Sequence, residues 1–144
     1  MENNNSNIER INYASNSPLE PLRGFSRAVV VDDKIYISGT SAISNGGTIT
    51  GGADAYQQTK AVIDYVKTIL AKAGFATADV IRTKLYVTDI SLWKEFARAH
   101  HEAFDKIRPA SQIVEVAKLT DPRLLIEMEV EAIRGVGAGQ MKHL

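Results

Sequence analysis

Three carboxylates, Glu127, Glu129 and Glu131, alternate with Ile126, Met128, Val130 and Ala132. A period of two is the pattern of a strand, so one face of this segment is apolar and the other is an acidic row. A second alternating segment, Val80 to Thr88, carries Arg82, Lys84 and Tyr86 on one face and Thr83, Leu85 and Val87 on the other. The carboxylates are therefore either a solvated row or partners of Arg82 and Lys84 across neighbouring strands. His100 is the one histidine on an apolar helical stripe, where it is either a satisfied core residue or, if accessible, a group titrating near neutrality. His101 points off that stripe and His143 lies in the tail, so three convergent ligands do not arise and no metal is expected. The chain has no cysteine, which removes thiolate nucleophiles, thiolate metal sites and disulfides together and fits a reducing compartment. The loop SNGGTITGG lacks the Lys-Ser/Thr ending of a phosphate loop and the GxGxxG of a dinucleotide turn. It reads as a flexible loop. No Ser, His and Asp order marks a hydrolytic triad.

The elements that must position these groups follow from periodicity. Ser26 to Val31 and Lys34 to Ser38 are β-rich runs joined by Asp32-Asp33, a hairpin that Gly39 ends. Ala53 to Ala73 repeats Val62, Val66, Ile69 and Leu70 at helical spacing, with Gly74 as its stop. After the strand Val80 to Thr88, Asp89 or Ser91 caps a second helix with the stripe Trp93, Phe96, Ala97, His100, Ala103 and Phe104. Gln112 to Leu119 and Leu125 to Ile133 are further strands, and Ile8 to Tyr13 is a candidate for one more. The pattern predicts an α+β fold with one sheet and two helices on one face. Its second, polar face either meets water or forms a subunit interface.

A chain of 144 residues is one domain, expected over 7–134, with flexible termini at 1–6 and 135–144. Cationic and anionic side chains balance at 17 each, so no footprint for nucleic acid or an anionic membrane is expected. The polar N-terminus is no signal peptide and no stretch is apolar enough to span a bilayer, so a cytoplasmic protein with a small-molecule ligand is the expectation.

The phrases YISGTSAI at 36–43, DVIRTKLYVTDI at 79–90, RPASQIVEVAKL at 108–119 and IEMEVEAI at 126–133 resemble, in order and spacing, the blocks of the Rid/YjgF family. The resemblance implies a chorismate-mutase-like fold with a mixed sheet, assembled as a homotrimer whose sheets form an inner barrel with clefts between neighbours. It implies cofactor-free hydrolysis of small imines or enamines, such as 2-iminopropanoate, to a keto acid and ammonia. By the same resemblance Phe25, Ser38 and Gly39 occupy pocket positions, and Glu129 matches a carboxylate that orients the attacking water, which requires hydrogen-bond reach. The chain departs from the deaminase pattern at three positions. Ser111 stands where a substrate-binding arginine is usual, Ile113 replaces a cysteine and Ala97 an asparagine. Losing a charged partner at a desolvated site costs about 2 to 5 kcal/mol, so standard imino-acid deamination is in question. Gln112 and Arg108 flank the lost arginine, and Arg108 could compensate in charge. His100 is a further pocket candidate. Two other readings stay open: a non-catalytic trimer that binds a small metabolite or regulates another protein, and the endoribonuclease or translation inhibitor that the family's labels suggest.

Overall fold

The structure, a computed structural model, describes residues 7–144; the Asn-rich stretch 1–6, expected to be flexible, lies outside them. A six-stranded mixed sheet has the order β1-β2-β3-β6-β4-β5, formed by β1 (Arg10–Tyr13), β2 (Ala28–Val31), β3 (Lys34–Ser41), β4 (Val80–Val87), β5 (Ala110–Glu115) and β6 (Ile126–Ile133). Only the β4–β5 pair is parallel among these strands, and the crossover between them is the second long helix. The helices are α1 (Leu19–Arg23), α2 (Ala55–Lys72) and α3 (Trp93–Phe104). Helix α2 packs on β3, β6 and α3. This matches the α+β architecture expected from the pattern.

The core is the apolar face of this sheet under the two long helices. Ile35 and Ile37 of β3, Leu85 and Val87 of β4, and Ile126, Met128 and Val130 of β6 meet Val62, Val66 and Leu70 of α2 with Phe96 and Phe104 of α3, all of them buried. Burying each such side chain contributes about 1.5 to 3 kcal/mol before entropy is counted. Asp54 starts α2 by accepting from Gln57 N at 2.8 Å, which satisfies one of the donors a helix start leaves free.

Five details differ from the sequence reading. Gly39 does not end the hairpin: β3 runs on to Ser41 through an irregularity in its pairing with β6. The third β run starts earlier and stops sooner, at Ala110–Glu115, because its parallel partner β4 ends at Val87 opposite Glu115. The buried stripe of α3 is Phe96, Ala99 and Phe104, whereas Trp93 at the helix start is half exposed. The short α1 and the 3-10 turns at Thr77–Asp79 and Ile90–Leu92 carry too few residues to show a period. The glycine-rich loop is itself hydrogen-bonded, with an Ile43–Ile49 bridge and a Thr50 N to Ala42 O bond at 2.9 Å.

Gln58 ties this loop to the sheet. It is fully buried; its Nε2 donates to Gly52 O at 2.6 Å and Arg123 O at 3.0 Å, and its Oε1 accepts from Leu125 N at 2.9 Å. One amide thus satisfies three backbone groups from two connections. A Gln58→Met substitution keeps the volume but strands those groups, and should cost about 2 to 4 kcal/mol of unfolding free energy in urea denaturation. A loss under 0.5 kcal/mol, roughly the value for a neutral surface change, would show that the staple is dispensable.

Candidate functional site

Strand β6 is the centre of the sheet, and its alternation divides the candidate residues between two faces. Ile126, Met128, Val130 and Ala132 enter the core, so Glu127, Glu129 and Glu131 leave it on the opposite face. There β4 opposes them: Arg82 pairs with Glu131 at 3.2 Å, Lys84 lies in register with Glu129, and the Tyr86 hydroxyl donates to Glu129 Oε1 at 2.7 Å. That bond to a carboxylate, reinforced by burial, holds the Tyr86 proton above the ordinary phenol range. Of the cross-strand pairings open to the acidic row, the Arg82–Glu131 ion pair is present, while Lys84 is opposite Glu129 in register only.

On the other side of β6, Ile37 faces Val130 and Thr40 faces Met128. Two residues of β3, Ser38 and Gly39, consequently oppose the single residue Glu129, which is a β-bulge. The bulge brings three candidates expected from the sequence, Ser38, Gly39 and Glu129, to one point of the register. A Cβ at Gly39 would overlap the Glu127 carboxylate, so only glycine lets that side chain lie against β3. Ser38 donates to Ser26 O at 2.7 Å. Beside the bulge a cleft of about 190 Å³ is lined by Arg23, Phe25, Arg27, Gly39 and Glu127 among others. Burial pushes the Glu127 carboxyl above its ordinary value, with Arg27 and Arg23 pulling the other way. The Arg27 guanidinium is drawn below its ordinary value by burial, against the pull of Tyr65, Glu20 and Glu127. The sequence shows Glu127 only as a member of the acidic row, and nothing in the spacing of Arg23 and Arg27 distinguishes them from neighbouring charges.

The remaining candidates lie on the helix side. Thr83 faces Ser111 in the parallel β4–β5 register and points toward α3. Its hydroxyl lies 2.7 Å from Ser111 Oγ and 2.8 Å from His100 Nε2, within hydrogen-bond reach of both. A hydroxyl has one proton, so the chain runs either from His100 through Thr83 to Ser111 or in the reverse direction. Burial depresses the His100 imidazolium below the ordinary 6.5, leaving a neutral ring that tilts against Phe104 at 4.7 Å between centroids. Ser111 and His100 line a cleft of about 490 Å³ with Trp93, Ala97, Gln112 and Ile113. Arg108 is at its rim, where it ion-pairs with Asp105 at 3.1 Å. The structure thus puts Ser38, Gly39 and Glu129 together at the bulge, with Phe25 and Gly39 lining the small cleft beside it, and puts His100, Ser111 and Ile113 on the helix side, whereas Gln112, in register with Lys84, turns to the outer face at the sheet edge. Thr83 was read in the sequence only as a core-facing strand residue.

A mixed six-stranded sheet with the long helices on one face defines the class. The sequence profile described as Endoribonuclease L-PSP matches residues 15–134, and the chain belongs to this family, the YjgF/Rid family. It is 36% identical over 121 residues to an uncharacterized protein of Streptomyces coelicolor, covering 84% of this chain and 90% of that one. It is 34% identical over 116 residues to a RutC family protein of Pyrococcus abyssi, covering 80% and 90% respectively. Among solved structures, a Mycobacterium tuberculosis member of the YjgF/YER057c/UK114 family superposes with a TM-score of 0.79 at 38% identity, covering 87% of this chain and 99% of that one. A Pseudomonas aeruginosa protein of unknown function also gives 0.79, at 27% identity with 94% and 99% coverage. No helix among the described residues is long and apolar enough to cross a membrane.

The neutral His100 has a consequence for stability. Its folded-state pKa lies below the unfolded value of 6.5, so its contribution is full above that pH and is lost as pH falls through the depressed folded value. The unfolding free energy of the wild type relative to His100→Gln should therefore decline as pH drops below 6.5. A difference that stays flat in urea titrations across this range would mean that the ring accepts a proton freely in the fold.

Proposed function

We propose that the chain is a cofactor-free hydrolase of a small reactive imine or enamine, working as a homotrimer in clefts between subunits. The observation that carries this reading is the division of the candidate residues between opposite faces of one sheet. Glu129 with the Ser38–Gly39 bulge faces away from the helices, and Ser111 with Thr83 and His100 faces toward them. A side chain on one face of a continuous sheet cannot meet a ligand held on the other. A second copy can bring its outer face against the helix-side cleft of the first, as a head-to-tail interface that closes into a ring.

The chemistry asks little of the protein. A protonated imine carbon is electrophilic, so water must be placed and deprotonated as its oxygen attacks. Glu129, held by the Tyr86 hydroxyl and opposite the bulge, takes that proton. Glu129 returns that proton to the nitrogen of the resulting carbinolamine, its C–N bond breaks, and as the carbonyl forms the hydroxyl proton passes to the departing ammonia, which leaves as ammonium. The Ser111–Thr83–His100 chain supplies a route for a proton between the cleft and a neutral imidazole. A second reading, a trimer that binds a small metabolite without converting it, draws on Ser111, whose hydroxyl carries no charge to anchor a carboxylate.

The test is the decay of 2-iminopropanoate and of an uncharged imine generated in situ, with and without the protein. The wild type should accelerate at least one of them, and Glu129→Gln should lower kcat/KM by about 10² to 10⁴. Absence of acceleration on every imine would remove the hydrolase reading and leave the binding one.

A further inference from the structure

Arg27 is a cation with an unanswered donor. Its Nη2 donates to the Gly39 carbonyl across the β2–β3 hairpin, while its Nε is buried with no hydrogen-bond partner among the described residues. Buried donors are almost always satisfied, and leaving one on a charged group is costly. Arg23 stands beside it: its guanidinium lies 4.5 Å from the centroid of Phe25, and that of Arg27 lies 5.6 Å from the same ring. Neither arginine has a carboxylate within ion-pairing distance among the described residues. Two like charges therefore share one aromatic ring in a cleft whose own carboxylate, Glu127, sits where burial disfavours its charged form. Ser15 and Ser17 line the same cleft, with the Ser15 hydroxyl donating to the Glu20 carboxylate.

Two guanidinium groups that line one cleft with no ion-pair partner among the described residues are complementary to a small planar anion. The cleft, about 190 Å³, admits a small molecule. We propose that Arg27, with Arg23 closing over it on Phe25, is the anchor for the carboxylate of a small 2-oxo or 2-imino acid, in place of the arginine absent at Ser111. The proposal rests on the hydrolase reading for the identity of the acid, and it places the anchor on the Glu129 face of the sheet instead of on the Ser111 strand. Arg108 does not compensate in this account, since it is occupied by Asp105 at the rim of the other cleft.

The test is binding, followed by calorimetry or ligand-observed NMR with pyruvate, its neutral amide and inorganic phosphate as probes. Pyruvate should bind the wild type and pyruvamide should bind at least tenfold more weakly. Arg27→Gln should weaken pyruvate at least tenfold, Arg27→Lys less, and Arg23→Gln several-fold. Arg23 is exposed, so its variant will fold and decides the matter if Arg27→Gln does not. Equal binding of pyruvate and its amide, phosphate binding without pyruvate binding, or pyruvate affinity unchanged in both Gln variants would each overturn the proposal. Turnover is not needed: a protein that holds pyruvate through Arg27 yet hydrolyses no imine keeps this anchor and loses the hydrolase reading.

Discussion

Strand β6 is paired on both sides, by β3 and β4, and it cannot rotate about its axis without breaking two ladders. Its alternate residues are therefore locked to opposite faces, Met128 and Val130 into the core and Glu127, Glu129 and Glu131 out of it. A shift by one residue would bury three carboxylates and expose the apolar side chains, a change far larger than the net stability of a domain. Every charged arrangement on the outer face inherits its register from this constraint. The Arg82–Glu131 pair, the Tyr86–Glu129 hydrogen bond and the contact of Glu127 with Gly39 all follow from it.

Against that rigid strand, β3 contributes the one irregularity that makes a site. The Ser38–Gly39 bulge opens the ladder opposite Glu129, and the missing side chain at Gly39 lets Glu127 lie against the backbone while Arg27 reaches the Gly39 carbonyl. The helix face has its own device, a buried threonine between a neutral histidine and an edge-strand serine. The sheet separates these two groups by its own thickness. Under the proposed reading assembly is part of the chemistry, and each chain supplies halves to two different clefts.

The elements that repeat many times were legible in the sequence. The eighteen residues of α2 and the alternation of β4 and β6 announce themselves because each buried position reinforces the same period. The sheet face of Glu127, Glu129 and Glu131 was legible for the same reason, and so was its pairing with Arg82. The bulge was not, because a register shift is a property of two strands and Gly39 reads equally well as the end of one. Arg27 escaped notice because a guanidinium without an acceptor is recognisable only after burial and partners are known. The chain Ser111–Thr83–His100 spans three elements, and nothing in the spacing of residues 83, 100 and 111 links them. The stripe of α3 was displaced toward Ala99 because Trp93 sits at the helix start, where the 3-10 turn Ile90–Leu92 lifts it half clear of the core.

The central claim, that one cleft takes its two halves from two copies, is tested most directly by mixing two disabled variants. Glu129→Gln disables the outer-face half and Ser111→Phe blocks the helix-side half, so each homotrimer should be inactive on an imine that the wild type hydrolyses. After joint refolding of equal amounts, random hybrids would combine two intact halves in roughly a quarter of their clefts, and activity near that fraction of the wild type should return. Mixed protein that stays as inactive as its parents, with hybrid assembly verified by mass, would contradict the account and place the whole site within one chain.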